Sequence, residues 1–218
     1  MLSIAGIELL PPLAVFIAFA LAGLALNIVP GADMTFIIAS AARGGRRDGI
    51  TAALGVGAGT LVHISGAVLG LSAILASSEA AFTAIKWIGA AYLVYLAISL
   101  LVSGNSADSQ PVATHKSGWN LFRAAILVNV LNPKVALFFL AFLPQFVDTR
   151  GSVPALQILC LGLWFDLVGT LVNSVIAIVA ASTAERLRGI AWVKRAARYL
   201  AASAMAALAL RLALAERR

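Results

Sequence analysis

Long apolar runs alternate with short polar stretches along the whole chain. A helix needs about 20 residues to cross a hydrocarbon core of about 30 Å, and six runs reach or approach that length. The pattern therefore predicts an all-α polytopic membrane protein in which residues 1–218 form a single transmembrane domain. Its helices are expected at approximately 13–41, 50–76, 82–102, 122–146, 154–181 and 197–215.

The second half of the chain repeats unusual residues of the first half about 103 positions later. The matched pairs are Pro30 with Pro133, Gly59 with Gly162, His63 with Asp166, and Gly66 with Gly169. Each half holds three apolar runs, so the two copies would enter the membrane in opposite orientations, as in many secondary transporters. We predict two inverted three-helix repeats, at about 1–103 and 119–218, joined by a polar linker at about 103–118.

Composition and charge agree with a membrane location. Hydrophobic residues make up 61% of the chain and charged residues 11%, so one small core cannot bury the apolar surface and lipid must cover the excess. The net charge is +7, and Lys and Arg are concentrated after the first, third and fifth runs. The positive-inside rule places those loops in the cytoplasm and both termini outside. Basic residues that flank spans favour anionic lipid as a partner over nucleic acid.

Two of the runs contain a proline beside other helix-disrupting or polar residues. The first includes Asn27-Ile28-Val29-Pro30-Gly31-Ala32-Asp33 and the fourth includes Asn129-Val130-Leu131-Asn132-Pro133-Lys134. Proline removes an amide donor and breaks the helix, and freed carbonyls are tolerated in a membrane only beside protein or a watery cavity. Half-helix N-termini suit a carboxylate, whereas carbonyls and amides suit an ammonium. The two breaks together therefore suit a zwitterion, which carries both groups. The candidate residues for binding it are Asn27, Pro30, Gly31, Asn129, Asn132 and Pro133.

Four ionisable residues lie within or near the predicted helices: Asp33, His63, Lys134 and Asp166. A charged side chain at the bilayer centre costs about 2.5–3.5 kcal/mol on insertion scales, so each needs a partner, a neutral form or water. We assign them to ion coupling or charge balance. Alternatives stay open: Asp33 as a helix cap, Lys134 in a structural ion pair, and His63 in a hydrogen bond that only packs helices.

Other function classes find little support. No Gly-x-x-x-x-Gly-Lys-[Ser/Thr] motif is present, so the chain carries no ATPase site of this type. Gly55-x-x-x-Gly59 and Gly66-x-x-x-Gly70 lie in an apolar run and predict faces of close helix contact. Ser65 and His63 are two positions apart on one helix and face different ways, which disfavours a hydrolase. The single cysteine excludes a cysteine-based metal cluster, and we expect no catalytic residues, metal site or cofactor.

The motifs together resemble the lysine exporter (LysE/RhtB) family of bacterial amino-acid exporters. The resemblance covers nearly the whole chain and rests on both proline breaks, the basic stretch 43–49, Gly89-Ala90-Ala91-Tyr92-Leu93, Phe138-Phe139 and Leu143-Pro144-Gln145-Phe146. Family members usually have Pro-Gly-Pro in the first helix, whereas this chain has Pro30-Gly31-Ala32.

The resemblance implies a secondary-active exporter of amino acids or close derivatives in the bacterial inner membrane, commonly coupled to protons and often a homodimer. It also implies an alternative, a metal-cation exporter of the same superfamily, with Asp33, His63 and Asp166 as ligands. A membrane scaffold without transport is a further alternative, which the matched polar breaks disfavour.

Overall fold

The computed structural model describes residues 3–4, 7–71, 118–147 and 153–183, with isolated positions between 83 and 98. The sixth predicted helix, most of the third and almost all of the predicted linker lie outside the described residues. The chain starts with two short strands, β1 (Ser3–Ile4) and β2 (Ile7–Glu8), which pair antiparallel. All other described elements are helical.

Five α-helices carry the described fold. They are α1 (Leu13–Ile28), α2 (Ala32–Gly66), α3 (Trp119–Val130), α4 (Pro133–Leu137) and α5 (Pro154–Thr183). Helix α2 continues as a π-helical turn at Ala67–Leu71. Helix α4 continues through a π-helical turn at Phe138–Phe142 and a 3₁₀ turn at Leu143–Phe146. The two prolines at 30 and 133 therefore coincide with the α1–α2 and α3–α4 junctions.

Helix α2 reverses its direction at Gly45. This residue has a φ of 69° and a ψ of −162°, a left-handed backbone conformation that glycine adopts without steric cost. A Cβ placed on Gly49 would lie 2.7 Å from the Cβ of Ala41, although eight residues of continuous helix would rise about 12 Å. Residues 32–44 and 46–66 therefore form a helical hairpin. The basic loop predicted at 43–49 is much shorter than expected, because a single glycine makes the turn.

The described helices suit a membrane by length and composition. Two of them qualify as spans, Ala32–Gly70 and Pro154–Ser182, and a third qualifies if Trp119–Val130 and Pro133–Phe146, bent by 49°, count as one. The reversal at Gly45 divides the first of these into two antiparallel segments. Helix α1 is apolar but has only 16 residues, so it reaches the length of a span only together with the segment that follows the break at Pro30.

Aromatic side chains dominate one of the two hydrophobic cores that the described residues form. We call this core the aromatic cluster: Phe19, Phe138, Phe139, Phe142, Phe146 and Phe165. The rings of Phe138 and Phe165 stack with centroids 4.3 Å apart, and Phe19 meets Phe146 edge-on at 5.3 Å. The cluster joins α1 and α5 to the irregular helix that follows the second break.

Small side chains fill the second core. This small-residue cluster consists of Ile37, Ala41, Ala52, Ala53, Val56, Ala125 and Ala177, all buried. It joins both arms of the α2 hairpin to α3 and α5. Since most of these side chains end at Cβ, the helix backbones approach closely, as is typical of helix contacts in membranes.

Glycine allows the closest approach between α2 and α3. A Cβ on Gly55 would lie 2.6 Å from both the Ala125 Cβ and the Phe122 carbonyl oxygen, and one on Gly59 would lie 2.7 Å from the Asn129 Cβ. The predicted contact face is thus present at Gly55-x-x-x-Gly59. At Gly66 and Gly70 no atom lies within 4 Å in the described structure, so the second predicted face has no such contact there.

We predict that Gly55→Ala lowers the free energy of unfolding by about 1–3 kcal/mol, because an added methyl group has to push α3 away. Gly66→Ala is the matched control, since no described atom lies within 4 Å of its added methyl group and alanine favours the helix by about 1 kcal/mol. Unfolding of both variants in lipid bicelles measures the difference. Equal stabilities for the two variants would contradict the close packing of α2 on α3.

Candidate functional site

Both helix breaks have extended backbone at the positions that flank the prolines. Val29 (φ −63°, ψ 122°) and Gly31 (φ −158°, ψ −168°) separate α1 from α2. Asn132 (φ −78°, ψ 106°) precedes α4, and Pro133 occupies its first turn, where the missing N–H is not needed. The Asn132 Oδ1 caps α4 by accepting a 3.0 Å hydrogen bond from the Lys134 amide.

Lys134 joins the two breaks. Its Nζ donates hydrogen bonds to the carbonyl oxygens of Leu26 (3.3 Å) and Val29 (3.1 Å) at the end of α1. A Cβ on Gly31 would lie 3.3 Å from the same Nζ, so the side chain passes directly over the glycine. The ammonium group therefore satisfies carbonyls at the first break from a position on the second.

Asp33 is the centre of a buried polar network. It is only 7% exposed, and its Oδ2 accepts hydrogen bonds from the Nδ2 atoms of Asn132 (2.8 Å) and Asn129 (3.0 Å). The Thr60 hydroxyl lies 3.4 Å from the Asn129 Oδ1 and 3.2 Å from the Val56 carbonyl oxygen of its own helix, and it can donate to either. Asn129 and Asn132, which were expected to bind substrate, thus each use one amide N–H to hold the Asp33 carboxylate in place.

A small polar cavity lies beside this network. Asn27, Asp33, Thr60, Lys134, Asp166 and Thr170 are among its lining residues. Its volume is about 20 Å³, which is room for about one water molecule. Two buried lining atoms, the Asp33 Oδ1 and the Asn27 Nδ2, have no hydrogen-bond partner in the described structure. One is an acceptor and the other a donor, so both ends of a dipolar ligand would find an unused group here.

Asp166 reaches the cavity from α5. The Thr170 hydroxyl donates to its Oδ1 at 3.4 Å. Gly57 makes room for this pair, since a Cβ on it would lie 2.5 Å from the Thr170 Oγ1 and 3.3 Å from the Asp166 Oδ1. Gly169 similarly makes room for Asn27, whose Oδ1 lies 2.8 Å from the position of a Cβ on that glycine. Glycines on two helices therefore make space for polar side chains.

His63 takes a different position from the other ionisable residues. Its Nε2 lies 3.0 Å from the Asn129 carbonyl oxygen, and its ring stacks on Phe139 with centroids 6.1 Å apart. It is not among the residues that line the cavity. This geometry fits the alternative in which His63 packs helices by bonding to the backbone near the second break.

The structure brings most of the predicted site residues together. Pro30, Gly31 and Pro133 shape the breaks, while the polar candidates other than His63 surround Asp33 or line the cavity. Sequence reasoning missed Thr60 and Thr170, which lie one helical turn from His63 and Asp166 respectively. A spacing of three or four residues places side chains on one helix face. This spacing was the signal from which the two threonines could have been found.

We predict that Asp33 and Asn132 are energetically coupled. In a double-mutant cycle with Asp33→Leu and Asn132→Leu, the coupling free energy should be about 1.5–3 kcal/mol, as for hydrogen bonds to charged groups. Asp33→Leu with Ser65→Ala is the control, since Ser65 is exposed and bonds to Leu61 of its own helix. Unfolding in bicelles supplies the four free energies. Coupling below about 0.5 kcal/mol, the usual additivity error, would show that the asparagines do not support Asp33.

Comparisons with known proteins identify the family. An uncharacterized membrane protein of Pseudomonas aeruginosa is 33% identical over 80% of this chain and 80% of its own length. The homoserine/homoserine lactone efflux protein of Salmonella typhimurium is 32% identical over 81% of this chain and 82% of its own length. No solved structure matches significantly. The family model described as LysE type translocator matches residues 24–216, and this chain therefore belongs to the LysE family of membrane translocators.

Proposed function

We propose that this protein is a secondary-active exporter that moves amino acids or close derivatives out of the bacterial cytoplasm in exchange for protons. The observation that carries the proposal is the meeting of two helix breaks at one cavity with an unpartnered carboxylate oxygen and an unpartnered amide donor. Membership of a translocator family supports transport over catalysis. The name of the Salmonella relative, a homoserine/homoserine lactone efflux protein, favours small amino-acid derivatives.

The proposed architecture has six membrane spans in two inverted repeats, with both termini outside. Its support is that each half of the sequence contributes one broken helix and that the breaks contact each other through Lys134. Such paired discontinuous helices near the midplane are the usual binding site of secondary transporters. The homodimer that the family resemblance implies is part of the same proposal.

The unused atoms of the cavity suggest how an amino acid is held. We assign the substrate ammonium to the Asp33 Oδ1, because a buried carboxylate oxygen without a donor is a strong acceptor for a charged group. The substrate carboxylate is assigned to the Asn27 Nδ2. Asn129 and Asn132 then act as positioning residues for Asp33, and Pro30, Gly31 and Pro133 act by keeping the breaks open.

The cavity volume implies movement. About 20 Å³ admits roughly one water molecule, so an amino acid enters only if the surrounding helices separate. Alternating access supplies that separation, first toward the cytoplasm and then toward the outside.

The metal-exporter alternative has weaker support. In the described part of the chain, no three His, Cys, Asp or Glu side chains come together as metal ligands. His63 bonds to a backbone carbonyl, and the Asp33 Oδ2 already accepts two amides. Oxygen atoms of Asp33, Thr170 and Asp166 remain as possible metal ligands. The cavity, however, has one unpartnered acceptor and one unpartnered donor, and that combination fits a zwitterion better than a metal ion.

Efflux from loaded proteoliposomes tests the proposal. We predict that the parental protein exports a subset of small amino acids or their lactones, and that Asp33→Asn and Asn27→Leu each reduce export at least tenfold. The tenfold figure corresponds to about 1.4 kcal/mol, the lower end of a hydrogen bond to a charged group. Ser65→Ala is the control and should export at the parental rate. If none of the tested amino acids and lactones leaves vesicles with the parental protein faster than it leaves protein-free vesicles, the protein is not an amino-acid exporter.

A second prediction concerns proton coupling through Asp166. Asp166→Asn keeps the side-chain volume but removes the site of proton binding, so export driven by an imposed pH gradient should be lost. Exchange of internal for external substrate should continue, because it needs no net proton movement. Parallel measurements of gradient-driven efflux and radiolabel exchange separate the two. Full gradient-driven export by the variant would exclude Asp166 as the coupling residue.

A further inference from the structure

We propose that the Lys134 ammonium is a tethered cation that occupies the helix break at Pro30, in the place where other broken helices hold a metal ion. Its Nζ lies 3.1 Å from the Val29 carbonyl oxygen and 3.3 Å from that of Leu26. The transporter therefore carries its own cation at this break. It needs no sodium or potassium ion there.

The need for a cation follows from the proline. In a continuous helix the Leu26 carbonyl would accept from the amide of residue 30, but Pro30 has no N–H. Extended backbone at Val29 and Gly31 also interrupts the regular pairing of the Val29 carbonyl. The Val29 amide donates to Leu26 at 3.2 Å, yet each carbonyl has a second lone pair. The carbonyl oxygens of Leu26 and Val29 therefore face a common position, which the Lys134 Nζ occupies.

The electrostatics of α1 favour a positive charge at the same place. Leu26 and Val29 lie at the C-terminal end of α1, where the aligned peptide dipoles give partial negative charge. Half-helix C-terminal ends and unwound carbonyls are the groups that coordinate monovalent ions in transporters with broken helices. A primary ammonium has the same charge as sodium, with three N–H donors that suit carbonyl oxygens.

The Lys134 ammonium has a mechanical role, because the lysine belongs to a different helix from the carbonyl groups that it binds. Lys134 follows Pro133 directly and belongs to the first turn of α4, so its backbone moves with the second break while its ammonium is bound at the first. A diffusible ion could leave when the helices separate, whereas a tethered ion keeps the two breaks in register. Lys134 is therefore a positioning residue that acts through the α1 carbonyls.

The experiment compares two substitutions with different shapes. Lys134→Ala deletes the arm and its charge, which leaves space for a small cation. Lys134→Met deletes the charge but keeps most of the arm's volume, so the space stays filled. Thermal unfolding of the purified proteins in detergent is measured in sodium chloride, propylammonium chloride and, as an ionic-strength control, choline chloride. This readout requires no transport, so it stays informative even if the proposed substrate class is wrong.

We expect both variants to unfold at a lower temperature than the parental chain in choline chloride. Propylammonium or sodium should raise the midpoint of Lys134→Ala in a saturable way, and neither should raise that of Lys134→Met. In proteoliposomes, where the test rests on the proposed function, export by Lys134→Ala should fall at least tenfold and recover partly with the same cation. Parental export should be equal in sodium and choline media.

Three results would overturn the tethered-cation proposal. If Lys134→Met has the same unfolding midpoint and the same export rate as the parental protein, no charge is needed at the break. An equal response of Lys134→Ala to choline and to the smaller cations would show a general salt effect. Sodium-dependent export by the parental chain would show that a metal ion still acts there, and this last measurement is available even if neither variant folds.

Discussion

A backbone carbonyl that loses its helical partner inside a membrane has to find another donor, and the described structure is organised around that requirement. Pro30 removes one donor from the first helix, and Lys134 supplies replacements from the opposite break. Because the lysine side chain has a limited reach, the two breaks must lie side by side. The polar cavity, the buried Asp33 and the close helix contacts that surround them all depend on that juxtaposition.

Asp33 shows how the protein tolerates a carboxylate in this environment. Two amide donors compensate for lost hydration at one of its oxygens, while the other oxygen has no partner in the described structure. A fully satisfied carboxylate would be a structural element and would bind nothing. Leaving one buried oxygen unpaired has an energetic cost, and a site that must later bind a ligand can recover that cost on binding.

Sequence reasoning located the breaks because proline and its polar neighbours have strong backbone consequences wherever they occur. It also found the ionisable residues near them, since such residues are rare in apolar runs. Its assignment of Asn129 and Asn132 to substrate stays a prediction. It did not foresee that both amides donate to Asp33, because partners distant in sequence cannot be inferred from local pattern. Thr60 and Thr170 escaped notice because threonine is common in spans and can bond to its own helix. The roles in binding and coupling remain predictions.

The two hydrophobic cores of the described structure lie on opposite sides of the cavity and join their helices in different ways. Along α5, Phe165 of the aromatic cluster precedes Asp166, whereas Ala177 of the small-residue cluster lies beyond Asn173. In the small-residue cluster, alanine and glycine bring the helices together almost backbone to backbone. In the aromatic cluster, phenyl rings fill the space between the helices. A bulkier residue on the first side would therefore displace a whole helix, whereas a ring on the second side can be exchanged for another apolar side chain of similar volume.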